Sequence, residues 1–226
     1  MPVVIANLSF RRITGMLVSV LLVTGCVTTR VEQFVIDSPL IAAGESVVLL
    51  SNRQDAVVET EDGFLDCVYG RLQGMKSSVR IISEDQFKDE LFPWFESRLA
   101  PTRAEAVGIL LEQPHIKTKA DALGVRYLVW IHGESDATNK QGSMSCSFSP
   151  AGGGCFGMLS WDNNSSYEAT IWDLRDSKSL GIISSQSTGT SVMPALIVPI
   201  PIIARTKGAS CRGLGDQLVT VLSGGS

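Results

Sequence analysis

The chain has 226 residues, 44% of them apolar and 19% charged, with 21 Gly, 9 Pro, 5 Cys and only 2 His. This balance belongs to a folded globular domain and excludes a disordered or fibrous chain and a His-rich metal site. The formal charge of −4 lacks the basic excess of a phosphate-backbone binder, so no nucleic-acid partner is expected.

Residues 1–12 contain no acid and end in Arg11-Arg12, followed by an apolar run from Ile13 to Val23 broken by Thr14, Gly15 and Ser19. A basic start, a short apolar stretch and small residues before a cut site make a secretory signal. The run falls well short of the roughly 20 residues that a membrane-spanning helix needs. It closes on Val23-Thr24-Gly25-Cys26, which resembles the lipobox of bacterial lipoproteins. The resemblance implies cleavage before Cys26, a lipidated Cys26 thiol and a palmitate-type acyl group on the new amino end. Two or three acyl chains anchor stably where one is marginal. Val27, rather than Asp, follows the cysteine, which by the same resemblance implies sorting to the outer membrane with the body on the periplasmic face. The expected organisation is a lipoprotein signal peptide over 1–25, a lipidated N-terminus and tether over 26–45, punctuated by Pro39 and Gly44, and one periplasmic domain over 46–226.

In the body, Ser46–Ser51 reads as a buried strand. Asn52–Asp62 is a polar loop. Gly63–Leu72 places Phe64, Cys67, Val68 and Leu72 on one helical stripe. Val79–Ile82 is a second strand, and Ser83 with Gln86 three places on is an N-cap signal. Pro101-Thr102-Arg103-Ala104-Glu105 reads as a second capping box before a helix that Pro114 breaks. Lys117–Leu123 is a further helix with Gly124 at its C-terminal cap. Val125–Ile131 is a strong strand. A Gly-rich hairpin over Ser143–Trp161 follows, with Phe148, Phe156, Met158 and Trp161 able either to face a partner or to turn into the core. Ser166–Leu174 and Leu180–Thr188 alternate as strands joined by a turn at Arg175–Lys178. Cys211–Leu222 closes the chain as a helix. This order predicts a single α/β (α+β) domain, helices packed on a mixed β-sheet.

With Cys26 lipidated, four cysteines remain, and an even number in an oxidising compartment favours disulfides. Three pairings are possible. The turn-rich loop between Cys146 and Cys155 makes that closure the easiest, leaving Cys67 for Cys211. No C-x-x-C occurs and no His lies near these cysteines, so neither a metal nor any cofactor beyond the lipid on Cys26 is expected.

The early strand and helix, the segment Lys119–Gly133 (helix, Leu-Gly-Val cap, strand ending in Gly) and the strand–turn–strand with Asp173 at its corner together resemble a known group. It is the periplasmic α/β domain shared by curli-secretion-channel lipoproteins, penicillin-binding-protein activator lipoproteins and the amino-terminal domain of the Tol translocation protein. The resemblance covers Ser46 to Ser223. It implies a module that works by binding and assembly, and it carries over no ligand or catalytic residue.

The most unusual segment is Val192–Ala204, thirteen residues with no charge and three prolines. Pro194, Pro199 and Pro201 argue against a central strand or regular helix. An extended apolar segment of this kind can cross one end of the core or lie on a partner or membrane surface. Val192, Pro194, Leu196, Ile197, Pro199, Ile200, Pro201 and Ile202 are the candidate partner-binding residues. His115, His132 and the acid pairs Glu61-Asp62 and Glu84-Asp85 form no recognisable catalytic constellation; the acids fit solvated helix starts. The expected function is a non-catalytic binding or assembly module of the cell envelope, acting on a protein partner or as a homo-oligomer. The alternatives are a self-assembling secretion-channel subunit and a periplasmic inhibitor of a toxin or hydrolase.

Overall fold

The computed structural model describes residues 26–37, 39, 41–42, 44–51, 63–75, 79–96, 99–101, 103–150 and 152–224. The signal segment, Glu61-Asp62 and Thr102 lie outside them. The strands are β1 (Val27–Val35), β2 (Ser46–Ser51), β3 (Arg80–Ile82), β4 (Val125–Ser149), β5 (Gly152–Asp173) and β6 (Lys178–Ala195). The helices are α1 (Phe64–Gln73), α2 (Glu84–Glu90), α3 (Ala104–Leu111), α4 (Pro114–Ala122) and α5 (Thr206–Leu222). The strands form one six-stranded mixed sheet in the order β1-β6-β5-β4-β2-β3. β2 runs parallel to β3 and β4; the other neighbours are antiparallel.

Alternation along the central strands builds the core on both sheet faces. Val47 and Leu49 of β2 join Tyr127, Val129 and Ile131 of β4 under α1 and α5. Val48, Leu50, Leu128 and Trp130 point the other way, against Phe87, Leu91, Val107 and Ile116 of the α2–α4 layer. Two disulfides, Cys67–Cys211 and Cys146–Cys155, link the pairs suggested by cysteine spacing. Cys67–Cys211 ties α1 to α5. Ser83 Oγ caps α2 by accepting from the Gln86 amide at 3.3 Å, and Gly124 closes α4 at φ +68°.

Several local expectations need correction. Residues 27–35 are not tether but an edge strand, paired from Val27↔Gly189 to Val35↔Gly181. Nearly every side chain of β1 is exposed, so the segment carries no burial pattern that sequence could reveal. The cap of α3 is Arg103, without a side-chain hydrogen bond. Pro114 opens α4 rather than merely ending α3, because its fixed φ and missing N–H suit the first helical position. Glu84 is not a solvated helix start. It is 3% exposed, accepts from Ser51 Oγ at 2.8 Å and pairs with Lys88 Nζ at 2.5 Å.

The largest departure is strand length. β4 has 25 residues and β5 has 22, against a usual five or six. The body ends where β2 ends, at Ser51↔Ile131. From there β4, β5 and β6 continue with β1 still beside β6 as far as Val27↔Gly189, opposite Ala137 of β4, and beyond that point as a three-stranded arm; Gly133 marks the exit from beside β2. Its φ is +146°, and a Cβ there would lie 2.2 Å from the Ser166 carbonyl oxygen and 2.6 Å from Tyr167 Cα. Gly133→Ala therefore forces the two strands apart at the root of the arm. A loss of roughly 2 kcal/mol in denaturant unfolding is expected, from strained backbone of this kind.

Candidate functional site

The arm unites the two segments that the sequence singles out separately. Its root is a ladder of hydroxyls. Tyr167, stacked on Phe64 at 3.5 Å, shares a hydrogen bond with Ser135 Oγ at 3.0 Å. Ser135 and Ser165 hydroxyls meet at 2.8 Å, and Ser165 Oγ donates to Thr206 Oγ1 at 2.8 Å. Ser191 Oγ accepts from the Ala204 amide at 3.0 Å and from Asn163. Buried hydroxyls satisfied by one another cost little, and their small size lets α5 sit close to the strands.

Farther out, the ladder breaks at a bulge between Thr138 and Gln141, with Asn139 in the left-handed region at φ 51°. Asn139 and Thr190 donate to the Asp162 carboxylate at 3.0 and 2.7 Å and hold its pKa below the usual range. Lys140 and Asp162 are the last charges on the way out. Residues 141–161 and 179–204 contain none.

Along β4, Gly142, Met144, Cys146 and Phe148 fall on one face, and Gln141, Ser143, Ser145, Ser147 and Ser149 on the other, as strand alternation requires. Phe148 is 82% exposed on the first face; Phe156 and Met158, opposite Ser145 and Ser143, are exposed on the other. These side chains face solvent rather than the core; Trp161, nearer the root, is half-buried.

Val192–Ala204 completes the arm. Val192–Ala195 is the end of β6, so Pro194 does occupy a strand, contrary to expectation. Residues 196–198 turn, and 199–202 run back antiparallel, with bridges Ala195↔Pro199 and Val192↔Ile202. Val192 and Ile202 exchange amide bonds of 3.0 and 2.8 Å, and the Ile200 amide donates to the Pro194 carbonyl at 3.0 Å. Pro194 fits because the position of its absent N–H faces this return segment rather than β5. Since the Ile200 and Ile202 amides point inward, the backbone nitrogens of Pro199 and Pro201 point outward. The arm's β6-side edge thus ends in two residues that cannot donate a hydrogen bond, a standard block to strand addition. Leu196, at 80% exposure, Ile197, Val198 and Ile200 crown the turn. Pro201 is exposed; Val192, Pro194, Pro199 and Ile202 are half-buried. Eight of the fifteen large hydrophobic side chains exposed among the described residues lie on this arm and its return segment.

Cys26 is exposed and carries a free thiol. β1 pairs with β6 so that its first residue lies toward the arm, Val27 opposite Gly189. Cys26 therefore lies on the arm side of the body. Elsewhere, His132 Nε2 lies 3.7 Å from Glu168 Oε1 on the open sheet face, and the His115 ring packs near Trp94 at 5.0 Å. Among the described residues no cluster of three or more His, Cys, Asp or Glu is placed to hold a metal ion. No helix among them is long and apolar enough to cross a membrane.

No family model matches the chain, and no curated protein does. The solved structures similar in fold include two PelC dodecamers from Paraburkholderia phytofirmans in different crystal forms. The first, a single-substitution variant, has 12% identity and a TM-score of 0.38, covering 86% of this chain and 99% of that one. The second has 11% identity and a TM-score of 0.37, covering 86% and 98%.

Proposed function

We propose that this protein is a lipid-anchored module of the bacterial envelope whose arm is a non-catalytic contact surface for an envelope partner. One observation carries the reading: a disulfide-braced β-arm that bears no charge beyond Lys140 and Asp162 and that, with its return segment, holds eight of the fifteen large hydrophobic side chains exposed among the described residues. Such a patch, rimmed by the charged residues Lys140, Asp162 and Arg205, has the composition of an interaction surface. A diacylated or triacylated Cys26 at the periplasmic face of the outer membrane would present the arm, since the anchor and the arm leave the body on the same side.

The test is the native mass of the full-length protein extracted in detergent, with every stoichiometric chain identified and the N-terminus weighed. The expected result is an acylated chain beginning at Cys26 in complex with an envelope protein. Ile200→Asp should weaken that complex at least about tenfold, the effect of losing one buried apolar anchor, with both disulfides and the unfolding midpoint unchanged. A chain that retains residues 1–25 overturns the anchor. A complex indifferent to Ile200→Asp overturns the contact surface.

A further inference from the structure

The two edges of the arm are not alike. On the β6 side, Pro199 and Pro201 occupy the outward positions. On the β4 side nothing comparable occurs. Cys146 and Cys155 are directly opposed with Cα atoms 4.0 Å apart, the close spacing of a pair that does not exchange backbone hydrogen bonds. Cys155 accordingly sends its amide away from β4, to the Ile197 carbonyl at 2.8 Å. By the same alternation, Gly142, Met144, Cys146 and Phe148 point their N–H and C=O groups away from β5. Among the described residues no strand lies on that side, because β2 ends opposite Ile131. The stretch has no proline, no charge and no bulge, so it lacks the devices that normally protect an edge.

We infer that this edge, Gly142–Phe148, pairs antiparallel with the same edge of a second copy of the chain, about a two-fold axis at Ser145. In that register Gly142 stands opposite Phe148 of the second copy, and Met144 opposite its Cys146. The pairing is self-complementary in size, large against absent and medium against small. The protein already uses the device within one arm: the Phe148 ring lies over Gly153, where a Cβ would come within 2.3 Å of it. All four outward residues on each copy find partners, for about eight interchain backbone bonds in the antiparallel pattern. Lys140 falls outside the paired stretch. The bodies sit at opposite ends of a continuous six-stranded arm and do not meet. Because the prolines close the other edge, addition stops at two copies rather than continuing to a ring or fibre. This interface is separate from the apolar turn proposed to hold the envelope partner.

The test uses the full-length protein in detergent and two variants, Met144→Pro and Met144→Lys. Proline at 144 removes only an outward N–H and keeps every β4–β5 bond; lysine is a charged gatekeeper in the same place. The wild type is expected to hold two copies of the chain in each complex, whatever envelope partner accompanies them. Its Cys146 and Phe148 amides should exchange with deuterium at least about tenfold more slowly than in either variant, and its Met144 amide at least about tenfold more slowly than the residue-144 amide of the lysine variant. Each variant should run as one copy with Cys146–Cys155 intact. Ile200→Asp should keep the pair while losing the envelope partner, so failure of one assignment is distinct from failure of the other. The inference is overturned by a single-copy wild type, by unprotected amides at these three residues, or by variants that both keep the wild-type mass.

Discussion

Replacing both Cys67 and Cys211 with alanine is expected to remove roughly 4–5 kcal/mol of stability, the chain-entropy cost of freeing a closure this long. The two residues are 144 apart in sequence, so the bridge restricts most of the unfolded chain. It also joins the elements that form one whole side of the core: Cys211 is buried on α5 among Leu214, Leu218 and the β5–β6 side chains, and Cys67 lies against the same cluster from α1. The bridge borders the cleft between the starts of these helices at the arm root, where hydroxyl contacts supply less packing than aliphatic side chains would. At about 2–4 °C per kcal/mol for a chain of this size, the melting midpoint should fall by about 10–20 °C. Urea unfolding of the double variant against the wild type measures this, and a change under 1 kcal/mol would refute it. Opening Cys146–Cys155, nine positions apart in sequence, frees a far shorter loop on the arm alone, so its effect on the body should be much smaller.

How far the sequence could be read follows from where burial imposes a period. β2 and the first half of β4 touch apolar layers on both faces, and their continuous runs, Val47–Leu50 and Tyr127–Ile131, announce strands. α1 and α5 carry helical stripes for the same reason. β1 and the arm face water on most sides, so no hydrophobic period marks them, and one continuous strand reads as two short ones flanking a Gly-rich loop. In the arm the period of two is written in serines against Gly, Met, Cys and Phe from 141 to 149, a legible signal when serine is weighed as the polar partner. The apolar character of Val192–Ala204 was visible, as were its prolines. Their role was not, because whether a proline blocks or joins a strand depends on which way its missing N–H faces. That direction is set by Val192↔Ile202 pairing, a tertiary fact.

At the end of the body opposite the arm, Arg126→Ala is expected to cost about 3 kcal/mol, the scale for stripping the partner from buried charges. Arg126 Nη1 donates to Glu45 Oε1 at 3.0 Å and Nη2 to Asp173 Oδ2 at 3.1 Å. It thereby joins the entry to β2, the start of β4 and the β5–β6 corner. Asp173 is only 3% exposed. It keeps the Arg175 and Asp176 amides at 2.9 and 3.4 Å, which hold the turn but leave Oδ2 unmatched once the guanidinium is gone. Burial works to raise the Glu45 pKa, but the Ala42 amide, Arg126 and Arg175 outweigh it and leave the group below its ordinary value of 4.5. A carboxylate with a depressed folded pKa contributes stability above its unfolded value and loses it as pH falls through the folded one. The wild type therefore surrenders this contribution in acid, whereas the alanine variant has already lost most of it. Chemical unfolding from pH 7 down to pH 3 should show the two proteins furthest apart at neutral pH and converging below about pH 4, in the carboxylate range. Arg126→Lys should fall between them, since an ammonium is a single point of charge and cannot fork between two carboxylates. A difference constant across that range would mean that Arg126 acts through its packing on Tyr127, 5.0 Å from the ring centroid, and not through its charge.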